Sequence, residues 1–119
     1  MNILDTIIQH KQASVAVAKK MFPAEQLMNS IHFSRPTFSL KQFLLNPEKN
    51  GIIAEFKRKS PSKGIINDSA TVEEVTTAYT QYGASCLSVL TDETFFGGTN
   101  EDVLKARMNN IPILRKEFI

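Results

Sequence analysis

The sequence predicts an α/β fold in which an N-terminal helical segment precedes a βαβαβ unit with a parallel sheet. Three short runs rich in apolar residues, at 52–57, 85–90 and 111–116, have the length and composition of buried strands. Segments with helical spacing, at 71–82 and 100–108, separate these runs. Strands that lack polar alternation and are joined by helices are typical of a parallel sheet covered on both faces.

Residues 2–20 carry apolar side chains at helical spacing and predict an amphipathic helix that ends before Pro23. Asp5 near the start, with Lys19 and Lys20 near the end, suits the helix dipole. The proline-containing stretch 23–50 predicts a connector with one short helix at about 40–45. We therefore expect residues 1–50 to form a helical extension and residues 51–119 to form the alternating unit.

The residues that flank the first predicted helix of the alternating unit support that unit. Ser69 or Thr71 can cap the helix of residues 71–82, and Gly83 can end it.

The chain stops at Ile119, directly after the third predicted strand. Because an apolar sheet edge promotes pairing with another chain, we expect this sequence to be a truncated part of a longer protein.

The composition excludes several classes of protein. A chain of 119 residues with 42% hydrophobic and 22% charged residues is typical of one soluble globular domain. A net charge of +2 is too small to indicate nucleic-acid binding, and no signal peptide or long apolar run indicates a membrane. We expect a cytoplasmic protein. Its one cysteine, Cys86, excludes a disulfide framework and is expected to be a buried small hydrophobe.

The first predicted strand carries the most informative polar residues. Glu55 and Lys57 are two positions apart, so they project from the same face of the strand. A loop rich in serine, proline and glycine follows, and its basic residues suit one phosphate or carboxylate group. Two interpretations remain open on these residues alone, because a solvated strand end with a basic loop would have the same pattern.

Four segments together resemble the indole-3-glycerol phosphate synthase family. They are residues 52–64, 83–92, 95–98 and 111–119, which occur in the family's order and spacing. The resemblance covers essentially the whole chain and implies a (β/α)8 barrel. The chain would supply the N-terminal extension, which helps cover the active-site mouth, and the first three barrel strands. Another phosphate-handling barrel or a doubly wound α/β domain stays open, although the first strand is followed by no nucleotide-binding glycine motif.

The resemblance also implies a reaction in tryptophan biosynthesis. The family, a group of carbon–carbon lyases (carboxy-lyases), closes the ring of 1-(2-carboxyphenylamino)-1-deoxyribulose 5-phosphate. Carbon dioxide and water are lost, and indole-3-glycerol phosphate is formed. No metal or organic cofactor is implied.

Catalytic roles follow from the resemblance position by position. Lys116 matches the family's general acid, a task that suits an ammonium group. Lys57 matches the lysine that contacts the substrate's anionic groups, and Glu55 matches the carboxylate that orients it. Arg58 and Lys59 are expected to be solvated loop charges.

Other positions match the substrate-binding residues of the family, and these are Ser60, Pro61, Leu90, Phe96 and Phe118. Residues 61–64 are expected to form a mobile loop over the site. Phe118 is expected to share a strand face with Lys116, which would bring the aryl ring of the substrate beside the acid. On packing grounds alone, Phe96 and Phe118 would be interpreted as ordinary core residues.

Several parts of the family's site lie beyond Ile119. They include a second general-base glutamate, a substrate-binding asparagine and the phosphate-binding loops of the late strands. We therefore expect no significant synthase activity from the chain alone. The alternative function is a non-catalytic half-barrel that associates through its open strand edges, with a second copy or with a C-terminal fragment.

Overall fold

A computed structural model describes residues 1–119 and divides them into two compact units, residues 1–37 with 118–119 and residues 38–117. The first unit contains helix α1 (Ile3–Met21) and helix α2 (Ala24–Met28). α1 confirms the predicted N-terminal helix, and Asn2 and Asp5 cap its start reciprocally. α2 was not predicted, because five residues are too few to show helical periodicity. No helix is both long and apolar enough to span a lipid bilayer.

The second unit contains the predicted βαβαβ pattern. Its elements are α3 (Leu40–Leu45), β1 (Ile53–Phe56), β2 (Lys59–Ser60), β3 (Gly64–Ile65), α4 (Val72–Gln81), β4 (Cys86–Leu90), α5 (Glu93–Phe96), α6 (Asn100–Ala106) and β5 (Ile113–Lys116). The predicted short helix at 40–45 and the unit β1–α4–β4–α6–β5 are confirmed. The β2–β3 hairpin and helix α5 are additions that lie in the two loops after β1 and β4.

The three long strands form a parallel sheet in the order β1–β4–β5. Each crossover therefore moves one strand further in the same direction. Because right-handed crossovers that advance in one direction keep their helices on one face, α4 and α6 lie side by side against the same side of the sheet. This winding is compatible with part of a barrel, whereas a doubly wound sheet reverses its strand order and places helices on both faces.

The core lies between that sheet face and the two helices. Leu87 and Val89 of the central strand are fully buried and pack with Phe56, Val72 and other apolar residues of the helix side. On the opposite face, Ile53 and Leu114 of the outer strands are 43% and 45% exposed. The expectation that both faces are covered is therefore wrong for the outer strands. In a closed barrel this inward face is covered by the strands across the barrel.

Helix α4 ends as its sequence predicts. Of the two candidate caps, Thr71 is the N-cap, and its hydroxyl accepts a hydrogen bond from the Glu74 amide at 3.2 Å. Gly83 has a φ of 94°. The amides of Gly83 and Ala84 donate back to carbonyls of the last helical turn, which completes a Schellman motif.

Gly98 allows the chain after α5 to pass directly over the end of β4. A Cβ atom at this position would lie 1.9 Å from the carbonyl oxygen of Leu90, a distance that no repacking of side chains can relieve. The Gly98 amide also donates to the Asp92 carbonyl at 2.8 Å. The close approach therefore requires glycine.

We predict that Gly98→Ala destabilises the chain by about 3 kcal/mol or more, because the backbone must move away from β4. Gly64→Ala is a suitable comparison, since Gly64 has a φ of 65° but nothing within 4 Å of an added Cβ. We expect that variant to cost about 1–2 kcal/mol. Urea denaturation of both variants measures the difference, and equal losses would contradict the steric argument.

Candidate active site

Glu55 is the centre of a polar cluster at the carboxyl end of the parallel sheet. Its Oε2 accepts from Lys116 Nζ at 3.1 Å and from the Ser88 hydroxyl at 2.9 Å. Its Oε1 lies 4.0 Å from Lys57 Nζ. The three residues that the sequence singles out for catalysis therefore lie together, although Glu55 is closer to Lys116 than to Lys57.

The register of the strands produces this cluster. Glu55 of β1 is directly opposite Ser88 of β4, and Leu90 of β4 is directly opposite Lys116 of β5. Parallel strands place the side chains of paired residues on the same face, and here that face is the one opposite the helices. The sequence analysis did not identify Ser88. The only sign of its role in the sequence is that it is a polar residue inside an otherwise apolar strand.

Arg58 is not the solvated loop charge that the sequence suggested. Its guanidinium makes a two-point ion pair with Asp102 of α6, with Nη2 at 3.0 Å from Oδ1. It also lies over the ring of Phe56, 5.0 Å from the centroid. The hydrogen bond to the Asp102 carboxylate is the main reason why the pKa of Arg58 is raised above its ordinary value. Asp102, only 3% exposed, is also part of the capping box of α6 with Thr99.

The loop after β1 is a short hairpin and not an irregular loop. β2 and β3 pair antiparallel, with Ser60 opposite Gly64, and β2 packs against α5. The buried Ser60 hydroxyl accepts from the Lys63 amide at 3.2 Å, and Pro61 is exposed in the turn. The pairing of β2 with β3 was not predicted, because strands of two residues are too short to show alternation in a sequence.

The three apolar positions that match the family's substrate-binding residues lie in different parts of the chain. Leu90 ends β4 and is 5% exposed, and Phe96 ends α5 and is half-buried. Asp92 caps α5 by accepting from the amides of Phe95 and Phe96, at 2.6 and 3.2 Å. β5 ends at Lys116, so the strand alternation used for Phe118 does not extend to it. Phe118 belongs to the first compact unit.

Two neighbouring groups do not take part in the cluster. Arg115 donates from Nε to Asn100 of α6 at 3.2 Å, so its side chain points away from Lys116. Cys86 is 1% exposed, as expected, and burial raises the pKa of its thiol. No group of three or more His, Cys, Asp or Glu side chains is arranged to hold a metal ion.

The cluster combines one carboxylate with two ammonium groups and so carries an excess of one positive charge. Lys116 and Lys57 are both partly exposed, with side-chain exposures of 53% and 36%, so each can reach a bound molecule. An ammonium held by a carboxylate can donate a proton or a hydrogen bond to a carbonyl oxygen. A second ammonium can pair with a carboxylate or phosphate of the same molecule.

Comparison with known proteins identifies the family. Residues 4–119 match the family model described as indole-3-glycerol phosphate synthase. The chain belongs to the indole-3-glycerol phosphate synthase family. The synthase from Bacteroides thetaiotaomicron is 45% identical over 119 residues. Synthases from Prochlorococcus marinus subsp. pastoris and Bordetella pertussis are 38% and 35% identical.

These matches cover nearly all of the chain but less than half of each relative. They span 99% of this chain and 45%, 41% and 47% of the three synthases in the order above. Synthases of this family are (β/α)8 barrels, and the parallel β1–β4–β5 sheet with its helices on one face is compatible with the first part of such a barrel.

We predict that Arg58→Met destabilises the chain by about 3 kcal/mol, because it leaves the buried Asp102 carboxylate without its partner. Asp102→Asn should also be destabilising. The double variant should lose about 2 kcal/mol less than the sum of the single losses, since the two residues form one interaction. Urea denaturation of the four proteins measures this coupling.

The exposed Arg115→Met is the control for loss of a cation, and its effect should stay within about 0.5 kcal/mol. If the losses of stability from the Arg58 and Asp102 substitutions were additive, the ion pair would not be what holds the loop after β1 against α6.

Proposed function

We propose that the chain is the N-terminal part of an indole-3-glycerol phosphate synthase and carries part of its catalytic site. The substrate is 1-(2-carboxyphenylamino)-1-deoxyribulose 5-phosphate, and the reaction is ring closure with loss of carbon dioxide and water. The observation that carries the proposal is the meeting of Glu55, Lys57 and Lys116 at the carboxyl end of the sheet, where barrel enzymes hold their active sites. Membership of the family supports it.

Lys116 acts as the general acid in this proposal. As the aryl ring carbon attacks the ribulose carbonyl and the new carbon–carbon bond forms, the Lys116 ammonium donates its proton to the carbonyl oxygen. Decarboxylation then releases carbon dioxide and returns the bonding electrons to the ring. The new hydroxyl group takes up a second proton and leaves as water, while the neighbouring carbon loses its proton to a general base outside residues 1–119. Glu55, at 3.1 Å, keeps the ammonium oriented before the proton moves.

Lys57 pairs with an anionic group of the substrate, and the apolar positions Leu90 and Phe96 line the slot for the aryl ring. Ser60 and Pro61 contribute to binding from the β2–β3 hairpin. The phosphate group is bound by segments outside residues 1–119, because barrels of this kind bind phosphate with their late strands. We therefore infer that the chain needs a complementary barrel segment for turnover.

We predict that residues 1–119 alone do not form indole-3-glycerol phosphate. Joining them to the part of the Bacteroides thetaiotaomicron synthase that follows its matched region should give an active fusion. Indole-3-glycerol phosphate formation, followed by its fluorescence, measures both. Lys116→Met should lower kcat of the fusion by about 10³-fold or more, because the proton donor is lost.

Lys105→Met is the matched control, since Lys105 is an exposed lysine on α6, on the far side of the sheet from Glu55. This variant should keep the kcat of the unmodified fusion. An inactive fusion, under conditions in which the intact relative turns over, would contradict the proposed function.

The second candidate is a non-catalytic half-barrel that associates through its strand edges. β1 and β5 are the outer strands of the sheet, and each exposes an apolar residue, Ile53 or Leu114, at 43% and 45%. Open edges beside apolar surface favour pairing with another strand. Such association is compatible with the enzyme proposal, because pairing with a barrel segment would complete the site.

We predict a defined dimer or larger oligomer of residues 1–119 in solution, because pairing buries these edges. Ile53→Lys and Leu114→Lys should each shift the chain toward monomer in light scattering. Leu104→Lys is the control, since Leu104 is 73% exposed on α6 and lies away from the strand edges. A monomer at all concentrations would rule out self-association through the sheet.

A further inference from the structure

Ser88 is a buried polar residue in the middle of the central strand. It is 2% exposed, and its neighbours Leu87 and Val89 are fully buried on the helix side. Because side chains alternate along a strand, the Ser88 hydroxyl lies on the same face as the Glu55 side chain. Serine contributes little to a sheet interior by packing, so its hydroxyl is the feature that requires an explanation.

A buried hydroxyl needs a hydrogen-bond partner, and here the partner is Glu55. The Ser88 hydroxyl donates to Oε2 at 2.9 Å, within the range for a bond to a carboxylate. Lys116 Nζ donates to the same oxygen at 3.1 Å. One carboxylate oxygen therefore receives two donors from two neighbouring strands.

This double contact selects one orientation of the carboxylate. The terminal torsion of a glutamate is soft, so a single ammonium on a flexible lysine chain leaves the group free to turn. The hydroxyl of Ser88 is fixed to the most buried strand of the sheet and restricts that rotation. With Oε2 held, Oε1 is directed toward Lys57, 4.0 Å from its Nζ.

We propose that Ser88 is a positioning residue for the acid–base chemistry. It holds Glu55 so that one oxygen orients the Lys116 ammonium and the other faces Lys57. Ser88 does not touch the reacting atoms and acts through Glu55. The catalytic part of this inference rests on the proposed function, whereas the orientation of Glu55 is a property of residues 1–119 themselves.

The first test uses residues 1–119 and requires no activity. The ¹⁵N relaxation of the Lys116 ammonium reports how firmly it is held, and its signal is assigned by its loss in Lys116→Met. Ser88→Ala and Ser88→Cys should both lower the order parameter of Lys116 Nζ toward that of the exposed Lys105. Cysteine nearly keeps the shape of serine but is a weak donor, so it separates hydrogen bonding from space filling.

The second test measures kinetics in the active fusion. Ser88→Ala and Ser88→Cys should lower kcat about 10- to 100-fold and change KM by less than about threefold, because the substrate still binds but the acid is misoriented. Ser88→Thr keeps the hydroxyl and should restore most of kcat. Ser85→Ala is the matched control, since Ser85 is another fully buried serine of the same segment, whose hydroxyl accepts from the Gly51 amide at 2.8 Å.

The results separate this inference from the proposed function. Unchanged Lys116 relaxation in Ser88→Cys, or equal kinetic losses in Ser85→Ala and Ser88→Ala, would overturn the positioning role. An inactive unmodified fusion would contradict the proposed function, and the relaxation data alone would then decide whether Ser88 holds the carboxylate. Lower Lys116 order together with a lower kcat in both non-hydroxyl variants is the result we expect.

Discussion

The parallel register of three strands is the constraint on which the rest of the structure depends. It sets Glu55 opposite Ser88 and brings Lys116 to the same edge of the sheet. A slip of one residue between β1 and β4 would move Glu55 to the helix side. Apolar side chains would then take its place on the opposite face of the sheet. The apolar residues Leu87 and Val89, fully buried under α4 and α6, prevent that slip, so the core determines the geometry of the polar cluster.

The ion pairs of the polar cluster add too little to the stability of the fold to explain why these charged residues lie together. Ion pairs between partly exposed side chains contribute about 0–1 kcal/mol, and those of Glu55 with Lys116 and Lys57 are of this kind. The buried pair of Arg58 and Asp102 lies on the other side of the sheet and closes the loop after β1 onto α6. One group of charges therefore holds the structure together, and the other remains available to a bound molecule.

Local signals in the sequence predicted most of the fold. The three strands of the parallel sheet and the longer helices follow from apolar runs and helical spacing, and Thr71 and Gly83 mark the ends of α4 as expected. Ser88 and Asp102 could not be assigned in the same way. They contact residues 33 and 44 positions away, so their partners are defined only by strand register and helix docking. Helix α5 was not predicted, because its four residues are too few to show helical periodicity.

The basic run after β1 shows how one local pattern can serve two purposes. Lys57 and Arg58 are adjacent, and at the end of a strand adjacent side chains point to opposite faces. Arg58 turns toward Phe56 and Asp102 on the helix side, and Lys57 turns toward Glu55 on the other side. The guanidinium, with its two-point contact, fixes the backbone at the strand end. Because that backbone is fixed, the neighbouring ammonium is held close to the carboxylate without a strong bond of its own and stays free to pair with an anion.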